Sequence, residues 1–330
     1  MDELESIITI SDDPDFKRAP QNLEDALGPV VIGITDAEHH SRAQYALGLP
    51  LPSIIELQDK YLNEKCMIIG GGMSIDLDDV RAGITNGVRV CAVNCAHDWL
   101  IKKDILPDFS VMLDPAERIA EYQTPTQGVK YLLGTSMHPS VWNTFRMAGI
   151  DPYIFIPLIG GNDDNIFAKR WPDAKMCVVA GVTTVGLRAA NVMSTLGFSE
   201  IHFHGFDSCY APNNDGVASL DLYRYAKPLI RHDTRRITLV SKRTRDMFTC
   251  ISTGAMGRQA IGLHKIIEVL PEMSVNERMG GVKYLFAGDG ACPWMAWKDA
   301  NDWINHLYPW RMYDKYGEAK HWDYEKGMSL

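Results

Sequence analysis

The sequence predicts an α/β protein built on a mostly parallel, doubly wound sheet with helices on both faces. Two observations carry this. From Lys65 onward, short β-rich apolar runs alternate with helical stretches, the pattern of strands buried on both faces and joined by crossover helices. The composition is also that of a packed globular chain, with 46% hydrophobic and 23% charged residues among 330, close to average usage.

The strand candidates are 66–70, 88–93, 109–113, 129–134, 153–157, 176–180 and 201–205, with a last one at 282–288. Each is a continuous apolar run bounded by turn residues, as buried parallel strands require. Helix candidates lie between them at 74–84, 96–103, 139–148 and 184–196, and another around 259–269. Before this region, residues 1–63 read as an N-terminal extension with a short strand candidate at 30–34 and a helix beginning after Pro52. Residues 64–290 form the sheet domain and 291–330 an aromatic-rich C-terminal cap, holding Trp294, Trp297, Trp303, Trp310 and Trp322 with Tyr308, Tyr313, Tyr316 and Tyr324. A helical cap on the core accounts for this tail, and so does a subunit interface that makes the chain a homo-oligomer.

Charge narrows the partners. Net charge is −9, and the basic residues are scattered except for Arg231, Arg235, Arg236, Lys242, Arg243 and Arg245. Nucleic-acid binding needs a large basic face, which is missing. The basic run reads as a solvated loop or as an anion contact. The seven cysteines show no CxxC pair and no zinc-like spacing, so they are expected as buried free thiols in a reducing compartment. The acidic opening MDELESIITISDDPDF lacks the basic and apolar regions of a signal peptide. No apolar run approaches the roughly 20 residues of a membrane-spanning helix, so a cytoplasmic protein is expected.

The first chemical motif is CMIIGGGMSIDLDDV, where a strand runs into Gly70, Gly71 and Gly72 and a helix opens near Ser74. Glycines let backbone approach an anion, and free N–H groups at the helix start supply donors. The pattern is neither the dinucleotide fingerprint nor a P-loop, since Ile75 takes the place of the last glycine and no GK[ST] follows. A tight turn that needs glycine explains the same residues without a ligand.

Further candidates recur where strands end. Asn94 follows the second strand and either caps a helix or bonds a ribose or base. Asp114 follows the strand at 109–113 and is placed to hold Mg²⁺ beside phosphate, or to form a turn before Pro115. Gly134, Thr135 and Ser136 end the next strand, with His138 as a proton carrier or a helix cap. Gly181, Thr183 and Thr184 form a second phosphate-type turn ahead of an amphipathic helix. His204 and Asp207 follow IHFHG, Asp207 offering a second carboxylate to a metal or a ribose hydroxyl.

The ordered set IIGGGMSI, VNCAHDWL, PDFSVMLD, GVTTVGLRAANVMSTLGF and IHFHGFD resembles the 6-hydroxymethylpterin diphosphokinase-like, or MptE-like, family across residues 64–210. It is also similar to the central domain of bacterial motility accessory factors, relatives of sialyltransferases, and versions occur in phages. The resemblance implies a Rossmann-like fold. It further implies either Mg²⁺-dependent diphosphate transfer from a nucleoside triphosphate to a small hydroxylated acceptor, or glycosyl transfer from a CMP-activated sugar. Carried onto this chain, it implicates Gly70, Gly72, Ser74, Asn94, Asp108, Asp114, Gly134, Thr183 and Asp207. Two departures stand out: Met73 precedes Ser74 where members usually have proline, and the next histidine after Asp207 is His232.

The expected protein is therefore a nucleotide-dependent transferase, with Asp114 and Asp207 as metal-binding carboxylates for diphosphate transfer, or with His138, His204 or His232 as the base that takes a hydroxyl proton in glycosyl transfer. Phosphoryl transfer needs mainly positioning and charge neutralisation, which ranks diphosphate transfer ahead of glycosyl transfer. A non-catalytic nucleotide-binding module on the same fold is the third reading.

Overall fold

A computed structural model describes residues 8–10, 34–72, 74–121, 123–157, 178–179, 184–209, 234–241, 243–244, 247–253, 256–257, 259–260, 262–263, 282–288, 290–300 and 303–307. The chain divides into two compact units: a first of residues 1–30, 71–77 and 202–330, and a second of residues 31–70 and 78–201.

The second unit is an α/β layer structure. It opens with α1 (Asp36–Leu47), started by a capping box in which Thr35 and Glu38 satisfy each other's backbone N–H groups. A 3-10 turn (Ile54–Leu57) follows, then β2 (Lys65–Ile69), α2 (Leu77–Thr85), β3 (Arg89–Val93), α3 (Ala96–Ile101) and β4 (Phe109–Met112). A second 3-10 turn (Glu117–Glu121) leads to β5 (Lys130–Gly134), α4 (Pro139–Met147), β6 (Tyr153–Pro157), β7 (Val178–Val179), α5 (Val185–Leu196) and the start of β8 (Glu200–His204). The strands lie in the order β8-β2-β3-β4-β5-β6-β7, and β2 to β7 pair in parallel throughout. The chain thus adds strands outward from β2 in one direction and returns with β8 to its other side. The order reverses at β2, and such a switch point is where α/β sheets open a ligand crevice. One face of this unit packs Met112, Tyr131, Leu133, Trp142, Phe145 and Ile154 into a shared apolar cluster. Tyr61 stacks on Phe198 with ring centroids 5.1 Å apart and meets Phe109 edge-on.

In the first unit β8 continues as His202–His204, followed in the sheet order by β11 (Lys283–Phe286) and β12 (Ile304–His306), the last two parallel. A separate antiparallel sheet joins β1 (Ile8–Ile10), β9 (Thr234–Val240) and β10 (Met247–Thr253). Helix α6 (Ala291–Lys298) buries Trp294 against Phe248, their rings stacked at 5.3 Å.

The α/β, Rossmann-like layering and all the strand positions expected from 66 to 205 agree with this architecture, although the strand expected at 176–180 is described only at Val178–Val179. Two expectations are corrected. The helix expected after Pro52 is only a 3-10 turn, because Pro52 and Ser53 are drawn into extended pairing with Ile154, whose N–H donates to the Pro52 carbonyl at 2.8 Å. The N-terminal helix is instead α1, upstream. The basic run is not a loop throughout: Arg235 and Arg236 lie within β9, and the Arg243 guanidinium donates to the Ala300 carbonyl. Residues 30–33, Arg231, Lys242, Arg245, Trp310, Trp322 and the tyrosines from Tyr308 onward lie outside the described residues, and the helix expected at 259–269 is described only at 259–260 and 262–263. Six cysteines are free and buried as expected, and Cys177 is outside the described set. Among the described residues no helix is long and apolar enough to cross a membrane.

Candidate functional site

In the first unit the glycine turn after β2 holds an anion, and the anion belongs to the protein. The Asp207 carboxylate accepts from the Ser74 backbone N–H at 2.9 Å and from the Ser74 hydroxyl at 2.5 Å. Asp207 is 3% exposed, so these charge-assisted bonds stand in for lost hydration. The turn is fixed further by the Gly72 N–H donating to the Gly205 carbonyl at 2.8 Å. Glycine at 72 has a local reason, since a Cβ there would lie 2.5 Å from Cγ and Oδ1 of Asp207. Gly290, with φ of 109°, makes the same close approach on the backbone side, where a Cβ would stand 2.6 Å from the Asp207 Cα. The sequence reading expected Ser74 to meet an external phosphate, whereas here its two donors serve Asp207. Gly288 and Gly290 were missed as site residues; the signal was present in FAGDGACPW, a third strand-to-helix turn rich in glycine.

In the second unit the expected residues line up at the carboxyl ends of consecutive parallel strands. Gly70 follows β2, Asn94 follows β3, Asp114 stands two residues past β4, and Gly134, Thr135 and Ser136 end or follow β5. Asn94 adopts a left-handed φ of 49°, which asparagine tolerates better than most residues. Its Oδ1 is buried without a hydrogen-bond partner among the described residues, as is the Thr135 hydroxyl. An unpaired buried polar atom costs about 1–3 kcal/mol. The Ser136 hydroxyl donates to the Leu113 carbonyl at 2.9 Å, and Gly134 is required by packing, a Cβ there falling 2.9 Å from that of Leu113. Arg42 of α1 donates to the carbonyls of Pro115 and Ser136, tying down the turns after β4 and β5. Sequence reasoning missed it, since nothing local marks a helix residue that reaches chain segments 73 and 94 residues away.

Beside this set lies a buried polar network. His97, fully buried, pairs through Nδ1 with Asp98 at 2.7 Å and through Nε2 with the Tyr131 hydroxyl at 2.8 Å. Asp98 accepts from the Thr124 N–H and hydroxyl, and the Tyr131 oxygen accepts the Thr126 N–H at 2.7 Å. Burial works against the Asp98 charge, but bonds from His97 and Thr124 outweigh it and hold its carboxyl below the ordinary range. Segment 123–126 is thereby fixed in place.

Burial, with His202 adding to it, pushes the His204 imidazole down to about 3. His138 caps α4, its Nδ1 accepting the Ser140 N–H and pairing with the Ser140 hydroxyl. Thr184 likewise serves as the N-cap of α5, accepting the Leu187 N–H. Asp108 sits at the amino end of β4, bonded to Arg89 and to the Val90 N–H, a structural position. Gly181 and Thr183 lie outside the described residues. Of the two carboxylates expected to meet Mg²⁺, Asp207 commits both oxygens to Ser74, while Asp114 commits only Oδ1, to the Ala116 N–H. The two belong to different units, and among the described residues no group of three acidic, histidine or cysteine side chains is placed to hold a metal. Asp114 still fits Mg²⁺, which commonly takes one or two carboxylates with phosphates and waters completing its shell.

Among solved structures, the chain resembles that of the MAf glycosyltransferase from Magnetospirillum magneticum AMB-1, with 17% sequence identity and a TM-score of 0.52 over 81% of this chain. The match covers 39% of that longer protein, and at this identity it shows a shared fold. No curated protein sequence matches the chain. The family model described as 6-hydroxymethylpterin diphosphokinase MptE-like matches residues 43–213. That stretch is more than half of the chain and carries the strand-end residues of the second unit described above, so the protein belongs to the MptE-like family.

Proposed function

We propose that this protein is a nucleotide-dependent transferase that moves diphosphate from a nucleoside triphosphate to a small hydroxylated acceptor. The observation that carries the reading is the row of strand-end residues within the family match, where Asn94 and Thr135 hold buried polar atoms with no partner among the described residues. The acceptor hydroxyl oxygen attacks the β-phosphorus, the bond from that phosphorus to the α–β bridging oxygen breaks, the nucleoside monophosphate leaves with that oxygen, and the hydroxyl proton passes to water. Such a loose transition state asks mainly for positioning. This suits a site where two of the candidate histidines are spent, His204 by burial and His138 as a helix cap. Asp114, with Oδ2 uncommitted among the described residues, is the residue to hold Mg²⁺. When bound, the ion supplies charge neutralisation for the phosphates. Asp207 braces the glycine turn of its own unit through Ser74.

A second reading, glycosyl transfer from a CMP-activated sugar, is favoured by the commitment of both Asp207 oxygens to Ser74, which leaves fewer carboxylates for a metal. The likeness in fold to a glycosyltransferase is compatible with it. Turnover separates the two. Incubated with ATP or CTP, Mg²⁺ and reduced 6-hydroxymethylpterin, the enzyme should release the nucleoside monophosphate. Release of CMP from a CMP-sugar without metal favours the second reading, and no release from any donor leaves a binding module.

A further inference from the structure

Gln123 is 3% exposed, and its side-chain amide is half used. Nε2 donates to the Asn94 carbonyl at 2.9 Å and to the Ser110 hydroxyl oxygen at 2.7 Å. A carbonyl can only accept, so the amide nitrogen must face Asn94 and the orientation is fixed by chemistry. Oε1 then points away from that bond, buried and without a partner among the described residues. The Asn94 Oδ1, on the very residue whose carbonyl Gln123 holds, is likewise buried with no partner among them. A glutamine serving the core alone spends both ends of its amide. This one also sits in a braced segment, since Thr124 is bonded twice to Asp98 and the Thr126 N–H donates to the Tyr131 hydroxyl. Gln123 and Asn94 are therefore held as two acceptors to which no described residue donates.

We infer that Gln123 is a specificity-determining residue which, with Asn94, selects a nucleobase bearing an exocyclic amino group. The inference rests on the nucleotide reading above and adds the class of base. Cytosine, adenine and guanine present N–H donors on an exocyclic amine; uracil and hypoxanthine place a carbonyl oxygen at the corresponding 4- or 6-position of cytosine and adenine, where lone pairs would face the lone pairs of Oε1 and Oδ1. A site built around hydrogen bonds rejects an analogue that leaves its buried groups unpaired.

The test is isothermal titration of the full chain with CMP, AMP, GMP, UMP and IMP, and with ribose 5-phosphate as a base-free probe. At least one amino-bearing nucleotide should bind about tenfold or more tighter than its keto counterpart, CMP over UMP or AMP over IMP. Gln123→Leu should bring that ratio to within about twofold while leaving ribose 5-phosphate affinity unchanged. Equal affinity of CMP and UMP together with equal affinity of AMP and IMP overturns the inference, as does a preference that survives Gln123→Leu. The wild-type ratios decide alone should the variant fail to fold. Binding of all nucleotides without preference removes only the role of Gln123, whereas binding of none removes the nucleotide reading with it.

Discussion

Replacing Gly72 by alanine tests the clasp between the glycine turn and Asp207. The added methyl would sit 2.5 Å from Cγ and Oδ1 of Asp207 and 2.8 Å from Oδ2. Ordinary carbon contacts begin near 3.4 Å, so the carboxylate must retreat by about 1 Å, beyond the steep inner wall of the contact potential. A retreat of that size takes the Ser74 N–H bond from 2.9 Å past the range in which a hydrogen bond is retained. Two bonds to a charged acceptor contribute about 1.5–3 kcal/mol each, and partial rehydration of half-buried Ser74 offsets some of this. Gly72→Ala should therefore destabilise by about 3 kcal/mol, read from urea unfolding followed by fluorescence of the eight tryptophans. The double variant Gly72→Ala with Asp207→Ala is the sharper measurement. Truncating Asp207 removes what the methyl strikes, so the two penalties should fall short of additivity by about 2 kcal/mol. Additive effects within about 0.5 kcal/mol would refute the reasoning, because the glycine would then be required for something other than Asp207.

His204 makes stability depend on pH. Its folded value of about 3 lies below the ordinary 6.5, so the unfolded chain binds the proton first. Stability is complete above about pH 6.5 and falls toward pH 3, by at most about 1.4 kcal/mol per pH unit. Between pH 7.5 and 5, urea midpoints of His204→Phe should decline less than those of the parent, and parallel profiles would contradict the assignment. Arg42→Met, which keeps the aliphatic stem but loses the bonds to Pro115 and Ser136, should cost about 1–2 kcal/mol. It should also weaken nucleotide binding, and unchanged affinity would show that the turns after β4 and β5 hold themselves.

The strands were legible because parallel strands buried on both faces are written as unbroken apolar runs, as in KCMII and KYLLG. The β9–β10 hairpin was not, since TRRITLV carries Arg235 and Arg236 directly after its first residue and charge masks its alternation. Helix α1 hid for a related reason: DAEHHSRAQYAL has few apolar positions, and only the Thr35–Glu38 capping box announces it. At the candidate site, the strand-end places of Asn94 and Asp114 could be read from the sequence alone. Contacts with a distant partner could not. The bond from Ser74 to Asp207 joins residues 133 positions apart. Gln123 lies in a polar stretch whose meaning depends on Asn94 and Ser110, 29 and 13 residues upstream.

Titrating the protein with ATP and CTP, with and without Mg²⁺, alongside a CMP-sugar decides between the two transfers. Two unit charges about 4 Å apart at an effective dielectric near 20 interact by roughly 4 kcal/mol, so phosphates beside the uncompensated Asp114 carboxylate are repelled. Triphosphate binding should tighten at least about tenfold with Mg²⁺, and Asp114→Asn should abolish most of that gain. Metal-independent binding of the CMP-sugar, unaffected by Asp114→Asn, would contradict diphosphate transfer and leave glycosyl transfer as the chemistry of this site.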